Sequence, residues 1–183
     1  MHEMITRALT FAAHKHRDQR REDPEQSPYI NHPIAVMSIL ALEAKIDDPV
    51  VLSAALLHDT LEDTDTTIEE LKEVFGDEIT NVVIELTDDQ ALPRAERYAM
   101  QKQKAIGYSP EAKLIRIADK IANTRDAYAS PPSAWSVDRL EGHFTHSYSV
   151  MALLRETNVQ LETLFDEIYH KTADLIKKLR NPD

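Results

Sequence analysis

Leu52-Ser53-Ala54-Ala55-Leu56-Leu57-His58-Asp59-Thr60-Leu61-Glu62-Asp63 is the stretch that decides how this chain reads. It starts as an apolar helix and ends in groups that hold metals or protons. Glu62 follows Asp59 by three residues and His58 by four, so a continuous helix puts all three on one face. An apolar helix carries its polar end towards the interior. Ionised groups are buried only when something compensates them, and a bound cation is the usual compensation.

The chain around it reads as helices throughout. Ile5, Ala8, Leu9, Ala12 and Ala13 recur at helical spacing and predict a first helix over 3–20. Residues 22–28 hold two prolines and form a loop. Pro33 fits the first turn of the next helix, with His32 at its mouth. Asp48-Pro49 is an N-cap and N1 pair that opens a central helix over 49–62. A capping-box pattern at Thr66-Thr67-Ile68-Glu69-Glu70 starts a helix that Gly76 ends. Residues 77–87 are read as a further helix, with a strand at Val82-Val83-Ile84 as the alternative. Residues 88–93 form a loop, 94–106 a charged helix, and Ser109-Pro110 caps the helix that carries Asp119. Helices over 134–156 and 158–180 complete the chain. With three glycines, no hairpin signal and no repeat, the expectation is an all-α, compact multi-helix domain spanning 1–183.

A chain of 183 residues buries roughly 70% of its unfolded surface, so a full core is available. No apolar run approaches the ~20 residues of a membrane span, and the first residues carry no secretory signal pattern. The chain has no cysteine, so any metal must take nitrogen and oxygen ligands, and a cytoplasmic location is expected. The net charge of −11 argues against a nucleic-acid polymer as partner, which would need a broad basic footprint. One basic cluster, Lys15, His16, Arg17, Arg20 and Arg21, interrupts the acidity. It is either a solvated helix end or a local anion site.

Four residues stand out as ligands: His32, His58, Asp59 and Asp119. Two imidazoles and two carboxylates suit a divalent cation such as Mn²⁺, Fe²⁺, Co²⁺ or Zn²⁺. Four protein ligands leave positions free for water and a substrate oxygen, as in a hydrolytic site. Each residue also has a plainer reading: His32 as an ordinary helix-start residue, and Asp119 in a buried salt bridge to Arg116 or Lys120.

The ordered set is more specific than its parts. His-Pro, then His-Asp, then Asp119 within Lys113-Leu114-Ile115-Arg116-Ile117-Ala118-Asp119-Lys120 resembles the HD phosphohydrolase superfamily. His14-Lys15-His16-Arg17, Gln19-Arg20-Arg21, Pro28-Tyr29-Ile30-Asn31-His32-Pro33 and the run Ala54 to Thr64 resemble the hydrolase domain of RelA/SpoT proteins. The single-domain length is similar to small alarmone hydrolases of the metazoan SpoT homologue type. The resemblance implies an HD-domain fold and Mn²⁺-dependent removal of the 3′-pyrophosphate of guanosine tetra- or pentaphosphate (ppGpp, pppGpp). It implies His32, His58, Asp59 and Asp119 as metal ligands. Glu62 and Asp63 match the pair credited with orienting or activating the attacking water, and Arg21 and Asn123 match nucleotide contacts.

Residue chemistry supports these roles without fixing them. Glu62 could take the water's proton, or instead hold His58 in place. Asn123, at i+4 from Asp119, shares its face, and Arg21 can stack on a purine or pair a phosphate. Arg94 and Arg97 could close the far side of the cleft or stay solvated. Two departures bear on substrate choice. Glu22 stands where relatives often carry a basic residue. His143 falls where animal members have a tyrosine, and either replaces it at the nucleotide or is a surface residue. Two other functions compete: a phosphatase acting on NADPH or another nucleotide through the same site, and a non-catalytic nucleotide sensor. The intact ligand set and the Glu62-Asp63 pair speak against the sensor.

Overall fold

The structure is a computed structural model that describes residues 2–181. Among them there are nine α-helices and no strand: α1 His2–Lys15, α2 Asn31–Ser38, α3 Pro49–Leu57, α4 Thr60–Asp63, α5 Ile68–Leu86, α6 Arg94–Ala105, α7 Pro110–Ala129, α8 Val137–Leu153 and α9 Val159–Arg180. A π-helical turn, Ile39–Glu43, extends α2. The all-α expectation holds, and the strand alternative at 82–84 does not.

Helix α3 is the hub. Asp48 accepts a hydrogen bond from the Val50 N–H and Pro49 fills the first position, so both halves of the expected start are present. Ala54, Ala55, Leu56 and Leu57 are fully buried. Each leucine contributes roughly 1.5–3 kcal/mol of burial. Around it pack α1, α2, α5 and α7. Ser109 caps α7 by accepting from the Ala112 N–H, and Ile115, Ile117, Ala118 and Ile121 press into the core. Glu43 on the π turn takes a forked pair from Arg125 of α7 at 2.6 and 2.9 Å, which ties α2 to α7.

Two boundaries differ from expectation for reasons that involve the site. The first helix ends at Lys15, not near residue 20. The His16 ring turns inward, and residues 16–30 loop over the core with one bridge between Arg20 and Pro28. The central helix does not run through to residue 62. It stops at Leu57, and Asp59 takes φ −97°, ψ −3° before the short α4. His58 Nδ1 bonds the Ala55 carbonyl at 2.8 Å and Thr60 Oγ1 donates to the Leu57 carbonyl at 2.7 Å. Side chains thus take carbonyls that would have extended the helical ladder. In α5, Gly76 sits at φ 80°, a conformation glycine reaches without penalty, and divides the helix where a stop was expected.

Candidate metal centre

His32 at the start of α2, His58 and Asp59 at the break after α3, and Asp119 inside α7 converge beside a cleft that His32 also lines. One ligand atom each from His32, His58 and Asp59 lie within 4.8 Å of one another. Asp119 Oδ1 joins them, 3.3 Å from His32 Nε2 and 4.0 Å from His58 Nε2. His32, His58 and Asp119 are all buried.

The donor set fits a divalent cation. Nδ1 of His58 spends its proton on the Ala55 carbonyl, so Nε2 presents a bare lone pair. That atom is buried with no hydrogen-bond partner and faces Asp59 Oδ1 at 3.2 Å. A lone pair pointed at carboxylates in a dry site is an arrangement a cation completes. Burial holds the His58 imidazole below its ordinary pKa, so it is neutral at pH 7, as a ligand must be. Asp59 is aimed by Tyr29, whose hydroxyl donates to Oδ2 at 2.7 Å.

Asp119 does two things at once. Its Oδ1 faces the imidazoles, while Oδ2 lies 3.4 Å from both Arg116 and Lys120. One oxygen thus makes the buried salt bridge of the plain reading, and the other stays beside the imidazoles, where a cation would meet it. Burial raises the proton affinity of this carboxyl, but Lys120, His32 and Arg116 outweigh it and hold the group well below the usual carboxylate range.

Glu62 and Asp63 flank the cluster from α4. Glu62 Oε2 accepts from the Asp88 N–H at 2.9 Å and Oε1 from Gln90 Nε2 at 2.7 Å. It does not hold His58, whose free proton goes to Ala55, so that alternative falls. Burial pushes the Glu62 carboxyl up to about 8, the Asp88 N–H pulls it down, and the Asp59 charge raises it again.

The cleft beyond the cluster has a volume of about 690 Å³ and is lined by Arg21, Asn123 and His143 among others. Arg21 lies over the Tyr29 ring, 5.6 Å from its centroid, and donates to Asp126 at 2.8 Å and to Asn123 at 3.3 Å. Asn123 in turn donates to Asp119 Oδ1. His143 packs edge-on to Trp135 at 5.3 Å, and its Nε2 is buried without a partner. Burial, then the Lys120 charge, lower its pKa to about 4, so the ring is neutral. Glu22 accepts from Trp135 Nε1 at 2.8 Å on the same wall.

The rest of the basic cluster divides. Arg20 lines the cleft, but Lys15 pairs with Asp65 and Glu70, and Arg17 with Asp18. Arg97 donates to Gln90 and Arg94 covers Tyr98. Tyr29, Gln19 and Gln90 were not among the expected site residues. Tyr29 and Gln19 stood inside stretches that carry the resemblance, whereas nothing in the sequence pointed to Gln90.

A family model described as HD domain matches residues 8–152. The chain belongs to the HD domain family. Within it, guanosine-3′,5′-bis(diphosphate) 3′-pyrophosphohydrolase MESH1 of Mus musculus is 48% identical over 167 residues, covering 91% of this chain and 93% of that protein. The Homo sapiens protein of the same name is 48% identical, covering 90% and 92%. A solved structure titled "A metazoan ortholog of SpoT hydrolyzes ppGpp and plays a role in starvation responses" superposes with a TM-score of 0.89 at 43% identity. It covers 92% of this chain and 95% of its own. A protein from Listeria monocytogenes EGD-e aligns at TM-score 0.67 and 27% identity, over 82% of this chain and 97% of its own.

Proposed function

We infer that this protein hydrolyses ppGpp and pppGpp, releasing pyrophosphate from the 3′ position. The observation that carries the reading is the buried His32, His58, Asp59 and Asp119 cluster with Glu62 near it, next to a cleft sized for a nucleotide. Full-length similarity to pyrophosphohydrolases supports it. We assign the four clustered residues as ligands of one divalent cation; the donor set suits Mn²⁺, Zn²⁺, Fe²⁺ or Co²⁺, and the resemblance to RelA/SpoT hydrolases favours Mn²⁺. When bound, such a cation supplies Lewis acidity and makes a neighbouring water easier to deprotonate.

The chain's own groups account for the proton. In the reaction the water oxygen bonds to the phosphorus that bears the 3′ oxygen, and the bond from phosphorus to that oxygen breaks. Water loses a proton and the departing 3′ oxygen gains one. Glu62, on the turn beside the cluster, is the group we assign to accept that proton and return it; burial raises its proton affinity, as an acceptor needs. Asp63 orients the water from the same turn. The Arg21 guanidinium, held over Tyr29, offers its free face to the base or a phosphate. Asn123 offers an amide to the ribose side without adding charge, and His143 a neutral ring beside Trp135. We place residues 1–183 in one domain, in the cytoplasm, that handles a small nucleotide; among the described residues no helix is long and apolar enough to cross a membrane.

The test incubates Mn²⁺-loaded protein with ppGpp and, separately, with NADPH. Pyrophosphate release from ppGpp, abolished by EDTA and by Asp59→Ala, is the expected result. Inorganic phosphate from NADPH with ppGpp left intact would overturn the substrate assignment. Turnover that survives Asp59→Ala would remove the metal centre from the reaction.

A further inference from the structure

Two uncharged amides brace the Glu62-Asp63 pair from opposite sides. Gln19, on the loop after α1, donates from Nε2 to Asp63 Oδ2 at 3.0 Å, and its own Oε1 lies 2.6 Å from His16 Nδ1. Gln90, on the loop after α5, donates from Nε2 to Glu62 Oε1 at 2.7 Å and to Asp63 Oδ1 at 3.3 Å. Its Oε1 accepts from Arg97 at 2.5 Å. Each oxygen of Asp63 thus takes one glutamine N–H, and each glutamine carbonyl is anchored in turn.

Neither amide can turn round. A flipped Gln90 would set its NH₂ against the Arg97 guanidinium, which has only donors, and its carbonyl against two carboxylates. A flipped Gln19 would set its carbonyl against Asp63. The Asp63 charge therefore fixes Gln19, and Gln19 fixes His16 as the tautomer with its proton on Nδ1. His16 is 1% exposed and its Nε2 is buried without a partner. The fold keeps an unsatisfied nitrogen there, a state that is normally avoided.

We propose that Gln19 and Gln90 are positioning residues that hold Asp63, and with it Glu62, in the orientation hydrolysis requires. The proposal rests on the hydrolase reading above. Asp63 ends a four-residue helix, where the backbone alone leaves its side chain several staggered rotamers. Water activation tolerates displacements of well under an ångström. An amide suits the task better than a lysine would, because it orients a carboxylate without neutralising it.

The test is a pair of double-mutant cycles on Mn²⁺-loaded protein, combining Gln19→Ala and Gln90→Ala each with Asp63→Ala. Steady-state kcat and KM, melting temperature and side-chain ¹⁵NH₂ spectra are recorded for all variants. Each glutamine substitution should lower kcat by about 10–100-fold, with KM and melting temperature close to wild type. In the Asp63→Ala background Gln19→Ala should change kcat less than twofold, while Gln90→Ala, which also loses its bond to Glu62, should cost less than it does in wild type. The Gln19 and Gln90 amide signals should move on Asp63→Ala. Multiplicative losses of kcat, or an unchanged kcat in Gln19→Ala and Gln90→Ala, would overturn the proposal. The wild-type arm judges the substrate separately: if it turns over NADPH and not ppGpp, the cycles are run on NADPH and still decide the role of the two amides.

Discussion

Asp119→Ala should unfold the protein far more readily than Asp59→Ala, although both remove a carboxylate from the proposed metal cluster. Asp119 is 4% exposed, and its Oδ2 is 3.4 Å from two buried cations, Arg116 and Lys120. Removing it strands both charges, and breaking a buried pair in this way costs about 3–5 kcal/mol. The lower end applies, because Arg116 keeps the Leu86 carbonyl at 2.6 Å and Asp88 at 3.9 Å, and Lys120 keeps Gln101 at 3.4 Å. A loss of about 3 kcal/mol is about 6–12 °C in melting temperature for a chain of this length. Asp59, by contrast, has the His32 and His58 rings and the Tyr29 hydroxyl as neighbours, and among the described residues no lysine or arginine pairs with it. Its loss costs about one hydrogen bond, about 1 kcal/mol.

The assay is urea unfolding in EDTA, which keeps metal binding out of the comparison. Asp119 has a depressed pKa in the folded state, so the stability it gives is present above the ordinary carboxylate value of about 4 and lost as pH falls below it. The gap between wild type and Asp119→Ala should therefore close on acidification below pH 4. Equal unfolding midpoints for Asp119→Ala and Asp59→Ala at pH 7 would refute the claim that Asp119 neutralises the α7 cations.

Glu62→Gln should lower kcat by about 10²–10⁴-fold while metal content stays unchanged, since Glu62 bonds Asp88 and Gln90 and not the imidazoles. Activity at the wild-type level would remove it from proton handling. Tyr29→Phe deletes the hydroxyl that aims Asp59 and should weaken Mn²⁺ binding by about 10–100-fold in calorimetric titration; an unaltered affinity would count against that orientation. His146 stacks on Tyr98 at 3.5 Å, and burial, then Lys120, lower its pKa to about 3 from 6.5. It binds its proton more readily when unfolded, so stability falls as pH drops through 6.5 towards 3. Unfolding of His146→Phe at pH 7.5 and pH 5 should show a shallower loss than wild type, and identical slopes would exclude His146 as a contributor.

The helices were legible because apolar spacing and caps act locally: Asp48-Pro49, Ser109-Pro110 and Gly76 each do what their chemistry dictates. The four clustered residues were legible because imidazoles and carboxylates on apolar helices demand compensation. The break after Leu57 was not, since it depends on His58 and Thr60 bonding carbonyls one turn back, which leaves no trace in periodicity. The salt bridge of Asp119 to Arg116 or Lys120 was legible as an alternative, but not that Asp119 meets both, nor that Arg116 also takes the Leu86 carbonyl, which needs α5 and α7 brought together. Gln19 and Gln90 carry no charge and mark no pattern. Their meaning arises only when loops 71 residues apart in sequence meet at Asp63.

The placement of charge explains why an acidic chain can serve a polyanionic substrate. Four carboxylates line the cleft, from Glu22, Asp23, Glu25 and Asp126, against two guanidiniums from Arg20 and Arg21. Arg21 is itself paired with Asp126, so little of its charge is free. The walls alone do not attract phosphates. The attraction has to come from beside the cleft, where Asp119 sets one oxygen against Arg116 and Lys120 and turns the other to the imidazoles. A divalent cation there adds the positive charge that the walls lack, and at these separations in a buried site its field is weakly screened. On the proposed mechanism, the centre assigned to activate water would thereby also select for a phosphate brought to it. A nucleotide with its phosphate at that centre would turn its uncharged end to the acidic rim with Trp135, where a carboxylate can accept hydrogen bonds without repelling a phosphate.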